Sequence, residues 1–250
     1  MTDPDKTIAS APPRRFAKTL VVGASGGLGG AFVRLLAKRG CAVHALSRGA
    51  TAFGAEVVSG QCDIDSEASI AAAAERLAGA GPFDLVIVAT GLLHDQSIRP
   101  EKSLRELSAD TLAAYFAVNA TGPALVARHF FPLMPRAEPS VFAALSARVG
   151  SIGDNRLGGW YGYRASKAAL NMLVKTLAIE RARTHPQAIC LALHPGTVDT
   201  PLSRPFQKNV PAGRLFSTEL SAGRLLDVMF RATPAQSGLC LDWAGKAIQP

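Results

Sequence analysis

Ala17-Lys18-Thr19-Leu20-Val21-Val22-Gly23-Ala24-Ser25-Gly26-Gly27-Leu28-Gly29-Gly30-Ala31-Phe32 joins three kinds of chain within sixteen residues. Residues 17–22 form a short apolar run of strand type. A glycine cluster follows at once. Residues 31–39 then set Phe32, Leu35 and Leu36 on one helical face, with Gly40 as the stop. Glycines at such a turn bring the backbone close to a pyrophosphate without Cβ clashes. The helix behind them points unpaired N–H groups and its positive dipole end at the phosphates. Because the loop sits between a first strand and a first helix, it predicts dinucleotide binding.

Outward from this turn the alternation repeats. Residues 41–46 read as a second strand, and Ser66 caps a helix over 67–78 that stops at Gly79. The unbroken apolar run 85–89 reads as a strand buried on both faces. A long helix is predicted over 110–131, a strand over 141–145, and a helix over 162–183 with Ala165, Ala169, Met172, Leu173 and Thr176 at three- and four-residue steps. A strand over 189–193, a helix over 222–231 and a strand over 239–243 complete the chain. Such repetition predicts an α/β fold, a doubly wound parallel sheet with helices on both faces and a ligand at the carboxyl ends of its strands. No linker-like composition divides the chain after Ala17, so 17–250 reads as a single domain behind a flexible tail of residues 1–16.

Two further stretches carry chemistry. The second strand ends Ala45-Leu46-Ser47-Arg48, with no acid to accept from a ribose 2′-OH and an Arg suited to a 2′-phosphate. That favours NADP(H) over NAD(H), although the glycine loop carries no second basic residue. In Tyr163-Arg164-Ala165-Ser166-Lys167 a phenol and an amine stand four residues apart, on one helical face. A free phenol ionises near pH ~10, and a neighbouring ammonium favours the phenolate. Such a tyrosine can give a proton to a carbonyl oxygen as hydride reaches carbon, or take it back. Tyr161 lacks this partner, since Ala165 stands four residues on.

The spacing Gly23-x-x-x-Gly27-x-Gly29 and the Tyr163/Lys167 pair together resemble the short-chain dehydrogenases/reductases, with Val22 where that family has Thr. The resemblance spans residues 17–245 and implies a Rossmann-type fold. The stretch Gly-Ser-Ile…Gly-Gly-Trp-Tyr-x-Tyr-Arg-x-Ser-Lys looks like the subgroup of C-factor-like proteins and sniffer-type carbonyl reductases. By resemblance, Gly23, Ser25, Gly27, Leu28 and Gly29 hold the pyrophosphate, Ser47 and Arg48 the adenosine ribose, and Asp63 the adenine amino group. Ala89-Thr90-Gly91 would lie along the ribose. In Pro195-Gly196-Thr197-Val198-Asp199-Thr200, Pro195 and Gly196 make the turn, and Val198 and Thr200 would hold the carboxamide and phosphate. Lys167 would also bond the nicotinamide ribose, and Asn119 would hold a water relaying protons to it. The substrate oxygen needs a Ser after strand 141–145. Ser146 is our choice, yet it stands 17 residues before Tyr163, a wider gap than the family's. Ala147 at that position, or Ser151 on spacing, stay open. A lid over 201–217, apolar through Leu202, Pro205, Phe206 and Phe216, and a homodimer or homotetramer are also implied.

Composition sets the outer bounds. The 250 residues are 48% hydrophobic and 18% charged, ample for a core. No run approaches the ~20 apolar residues of a membrane span. The net charge of +8 is dispersed without a basic block, which reads as a solvated surface favouring an anionic cofactor over nucleic acid or membrane. Residues 1–13 lack the apolar core of a secretory signal, so a cytoplasmic location is expected. Cys41, Cys62, Cys190 and Cys240 form no CxxC pair and the histidines no ligand spacing; reduced, mostly buried thiols and no metal site are expected. The expected function is an NADP(H)-dependent oxidoreductase acting on a small carbonyl or alcohol. A dinucleotide-binding signalling or sensor protein with little redox activity is the alternative.

Overall fold

The computed structural model describes residues 15–49 and 51–250. The strands are β1 (Lys18–Val22), β2 (Ala42–Ser47), β3 (Val57–Gln61), β4 (Leu85–Val88), β5 (Ser140–Leu145), β6 (Ala188–His194), β7 (Thr197–Val198), β8 (Leu215–Phe216) and β9 (Cys240–Asp242). The helices are α1 (Gly27–Lys38), α2 (Glu67–Arg76), α3 (Ala109–Phe116), α4 (Gly122–Phe130), α5 (Tyr161–Ala182) and α6 (Thr218–Arg231). Seven strands pair in the order β3-β2-β1-β4-β5-β6-β9, all parallel, and β7 pairs with β8 in a separate ribbon. The doubly wound parallel sheet expected from the alternation is present.

Successive residues of a central strand feed opposite faces, which is why these strands are apolar throughout. Val21, Ile87 and Leu191 pack under α1 and α6; Leu20, Val22, Val86 and Phe142 pack under α2, α4 and α5. The order reverses between β2 and β4 on either side of β1, and that reversal opens a crevice at the carboxyl ends. Among the described residues, no helix is long and apolar enough to cross a membrane.

Three features refine this reading. Residues 1–14 of the expected tail lie outside the described residues, but Phe16 is buried against Phe230, with ring centroids 5.1 Å apart, so packing begins before Ala17. Strand β3 escapes the hydrophobic pattern because it is an edge strand: Val57 alone is buried, and Ser59, Gly60 and Gln61 carry no apolar signal. The helix expected over 110–131 is present and runs without a break through α3 and α4, with Ala117–Thr121 forming a π-turn inside it. The cause is Asn119, which turns inward to bond neighbouring chain.

Candidate active site

The glycine loop closes β1 onto α1. Gly23 and Ala24 both donate their N–H groups to Leu46 O, at 2.8 and 2.9 Å, tying the loop to the end of β2, and Gly26 N donates to Gly23 O at 3.1 Å to close the turn. Gly23 has φ +87°, and a Cβ at Gly29 would stand 2.1 Å from Gly23 O, so neither position admits a side chain without moving backbone. The first turn of α1 has no side-chain cap and no acid, and Ser25, Gly26 and Gly27 are exposed. Its unpaired N–H groups therefore face the crevice, where Gly27 looks across to Thr200 and Thr218. A cavity of about 530 Å³ adjoins this turn. The Thr90 hydroxyl, beside Gly23, is buried with no partner among the described residues. Open donors, a cradle without side chains and an orphaned hydroxyl suit a dinucleotide.

At the end of β2, Ser47 Oγ donates to Gly49 O at 2.7 Å, and Arg48 is exposed, with its charge felt by Asp65. Asp63 Oδ1 accepts from the N–H of Asp65 at 3.1 Å. Beyond β6, Gly196 at φ +77° turns the chain beside Phe216 and Trp243, Pro195 O accepts from Ser221 Oγ at 2.8 Å, and Val198 is held in the β7–β8 ribbon. Ala89, Thr90 and Gly91 follow directly on β4.

Asn119, Tyr163 and Lys167 come together. Asn119 Nδ2 donates to Leu92 O at 2.8 Å and to Ser166 Oγ at 3.1 Å, while its Oδ1 accepts from Leu92 N at 2.8 Å. This clamp explains the π-turn: an inward Asn is tolerated because all its bonds are made. Lys167 Nζ donates to Leu145 O at 2.8 Å and lies 5.8 Å from the centre of the Tyr163 ring. Gly91 passes over both, its Cβ position 3.7 Å from Asn119 Oδ1 and 3.8 Å from Lys167 Nζ.

The electrostatics differ from the simple expectation of an ammonium lowering a phenol. Burial pushes the Tyr163 hydroxyl up to about 12 and the Lys167 amine down to about 8. Both charged forms lose water here, and the amine bonds a carbonyl instead of the phenol.

The serine choices separate. Ser146 Oγ donates to Asn171 Oδ1 at 2.7 Å. Ser151 Oγ accepts from Asp154 N at 3.0 Å and lies 3.5 Å from Pro250 O. The residue packed against the Tyr163 cluster at the end of β5 is Ala147. With Leu93, Val149, Leu202 and Phe206 it makes an apolar wall, and Trp160 stands 6.1 Å from Tyr163 and 4.9 Å from Phe206 between ring centroids. His94, whose Nε2 meets Leu202 O at 3.1 Å, packs on Phe206. Phe216, expected in the lid, is instead buried against Trp243.

Glu101 is a residue that sequence reasoning missed. Its side chain is 1% exposed, Oε2 accepts from Gly162 N at 3.2 Å, and its backbone oxygen takes the N–H of Trp160. It thereby caps α5 from a distant loop, next to Trp160 at φ 54°. A lone Glu after Pro100 reads as a surface acid, and only the folded chain brings it to a helix N-terminus.

A family model described as short chain dehydrogenase matches residues 17–211. A 1-hydroxy-2-glutathionyl-2-methyl-3-butene dehydrogenase of Rhodococcus sp. (strain AD45) is 34% identical over 191 residues, 75% of this chain and 80% of that protein. The C-signal of Myxococcus xanthus is 31% identical over 138 residues, 55% of this chain and 77% of that protein. Among solved structures, a short-chain dehydrogenase/reductase from Burkholderia multivorans with bound NADP is similar at a TM-score of 0.79 and 29% identity, covering 94% of this chain and 100% of that one.

Proposed function

This chain belongs to the short-chain dehydrogenase family, nicotinamide-dependent oxidoreductases, and from that premise we propose that it is an NADP(H)-dependent reductase or dehydrogenase of a small carbonyl or alcohol. What supports the proposal is the Tyr163–Lys167 couple beside Asn119, linked to the glycine loop through residues 89–91, where Thr90 lies beside Gly23 and Gly91 beside Lys167. When bound, the nicotinamide ring supplies or accepts the hydride at the substrate carbon.

Tyr163 is the acid/base: its hydroxyl gives a proton to the carbonyl oxygen in reduction and removes it in oxidation. Lys167 has a second role toward the nicotinamide ribose, and its amine, already disfavoured as an ammonium, can pass a proton on near neutral pH. Asn119 fixes the Leu92 backbone next to that amine and orients the water that relays protons to it. Ser146 is committed to Asn171, so Ala147 takes the oxygen-orienting position of the family and Tyr163 becomes the main donor to the substrate oxygen. The apolar wall of Ala147, Trp160, Leu202 and Phe206 favours a substrate with an apolar body.

Cofactor contacts are assigned to Gly23, Ser25, Gly27, Leu28 and Gly29 at the pyrophosphate, Ser47 and Arg48 at the adenosine ribose, and Asp63 at the adenine. Ala89, Thr90 and Gly91 line the ribose path, while Pro195, Gly196, Val198 and Thr200 serve the nicotinamide end. Arg48, with no acid at the end of β2, supports NADP(H) over NAD(H). We also assign two-fold pairing to the exposed face of α5.

Y163F should lower kcat by about 10²–10⁴-fold and leave NADPH binding within twofold. An undiminished kcat would remove the acid/base assignment. Cofactor binding without turnover across aldehydes, ketones and quinones would instead favour the sensor reading.

A further inference from the structure

The cavity beside the glycine loop is larger than a turn requires, and its walls come from separate parts of the chain. Ser25, Gly26 and Gly27 line one side, Thr51 and Phe53 after β2 another, and Thr218 at the start of α6 a third. Arg34 enters from α1. One turn earlier stands Gly30, and an Arg34 guanidinium nitrogen lies 3.2 Å from where a Cβ there would be. The missing side chain at Gly30 lets the guanidinium fold back toward the loop.

Cations are scarce on this side. The glycine loop has none, and exposed Arg48 shares its field with Asp65. The wall otherwise offers loop N–H groups and the Ser25 hydroxyl, donors of the kind a phosphate monoester accepts from, while Thr218 gives its proton to Glu219 Oε2 at 2.8 Å and Thr51 Oγ1 lies 3.3 Å from Ser47 Oγ. An arginine fork matches such a group with two parallel bonds. Arg34 at present holds Glu219 Oε1 at 2.9 Å, and both side chains are 57% exposed. An ion pair this open to water is weakly held, so a doubly charged phosphate can displace it.

We propose that Arg34 is a specificity-determining residue for the cofactor's 2′-phosphate, exchanging its bond to Glu219 for that group. Glu219 restrains the exchange by competing for the same guanidinium. The inference rests on the NADP(H) reading and adds to Arg48 a second cation, from α1, that the glycine loop does not supply.

Calorimetric titration of the full chain with 2′,5′-ADP and with 5′-AMP isolates the 2′-phosphate without any turnover. R34Q should weaken 2′,5′-ADP by about tenfold or more and leave 5′-AMP within about twofold. E219Q should tighten 2′,5′-ADP and leave 5′-AMP unchanged. If R34Q weakens both probes equally, or neither, the proposal is overturned. R48Q separates it from its premise. A wild type whose preference for 2′,5′-ADP is lost in R48Q but kept in R34Q retains NADP(H) and removes Arg34. A wild type indifferent to the 2′-phosphate removes both.

Discussion

Ala147, half-buried against the Tyr163 cluster, presents a methyl group at the position we propose for an oxygen-orienting residue. Hydrogen-bond donors aimed at a developing negative charge are among the largest contributions to carbonyl chemistry, and removing one costs about 10²–10³-fold in rate. Restoring one should help. A147S is expected to raise kcat by roughly tenfold with little change in NADPH binding, read from steady-state rates beside a cofactor titration. A fall in kcat, or none of the gain, would mean that the reacting oxygen does not pass this side chain. Ser146 cannot be recruited without losing its bond to Asn171, because its hydroxyl has a single proton to give.

Helix α5 brings Tyr163 and Lys167 to the crevice, and its first turn is held by a residue from another segment. Helix N-termini leave N–H groups unpaired, and burial makes that costly unless an acceptor is found. Gly162 finds it in the Glu101 carboxylate, and a Cβ at Gly162 would collide with Tyr115 at 2.4 Å, so the packing is close enough to fix the helix start. E101A should lower stability by about 1–3 kcal/mol in denaturant unfolding, while E101Q, which keeps an acceptor, should recover most of the loss. Equal midpoints for E101A and wild type would show that the cap is dispensable. The π-turn at Asn119 belongs to the same scale: it widens one turn of a helix that stays continuous, as periodicity describes it, and the irregular turn is offset by the Leu92 and Ser166 bonds.

The assembled molecule leaves Met172 and Ile179 of α5 exposed at 66% and 52%, two turns apart on one face. An apolar stripe on a helix otherwise packed on the sheet is suited to a copy of itself across a two-fold axis. On the two-fold pairing proposed above, wild type should sediment as a dimer or tetramer and the double variant M172E/I179E as a monomer; a monomeric wild type, or a variant with an unaltered sedimentation coefficient, would remove the pairing through α5. Much of this architecture was readable beforehand. The central strands are buried on both faces and so had to be continuous apolar runs, and a dinucleotide turn needs glycine where backbone meets backbone, as at Gly23 and Gly29. Local composition carries that information because each constraint acts within a few residues. Strand β3, the π-turn at Asn119, the distribution of the serines, the Glu101 cap and the pairing of Arg34 with Glu219 were not readable in the same way. Each depends on a partner tens of residues away or on an edge exposed to water, and long-range contact leaves no periodicity in the chain that makes it.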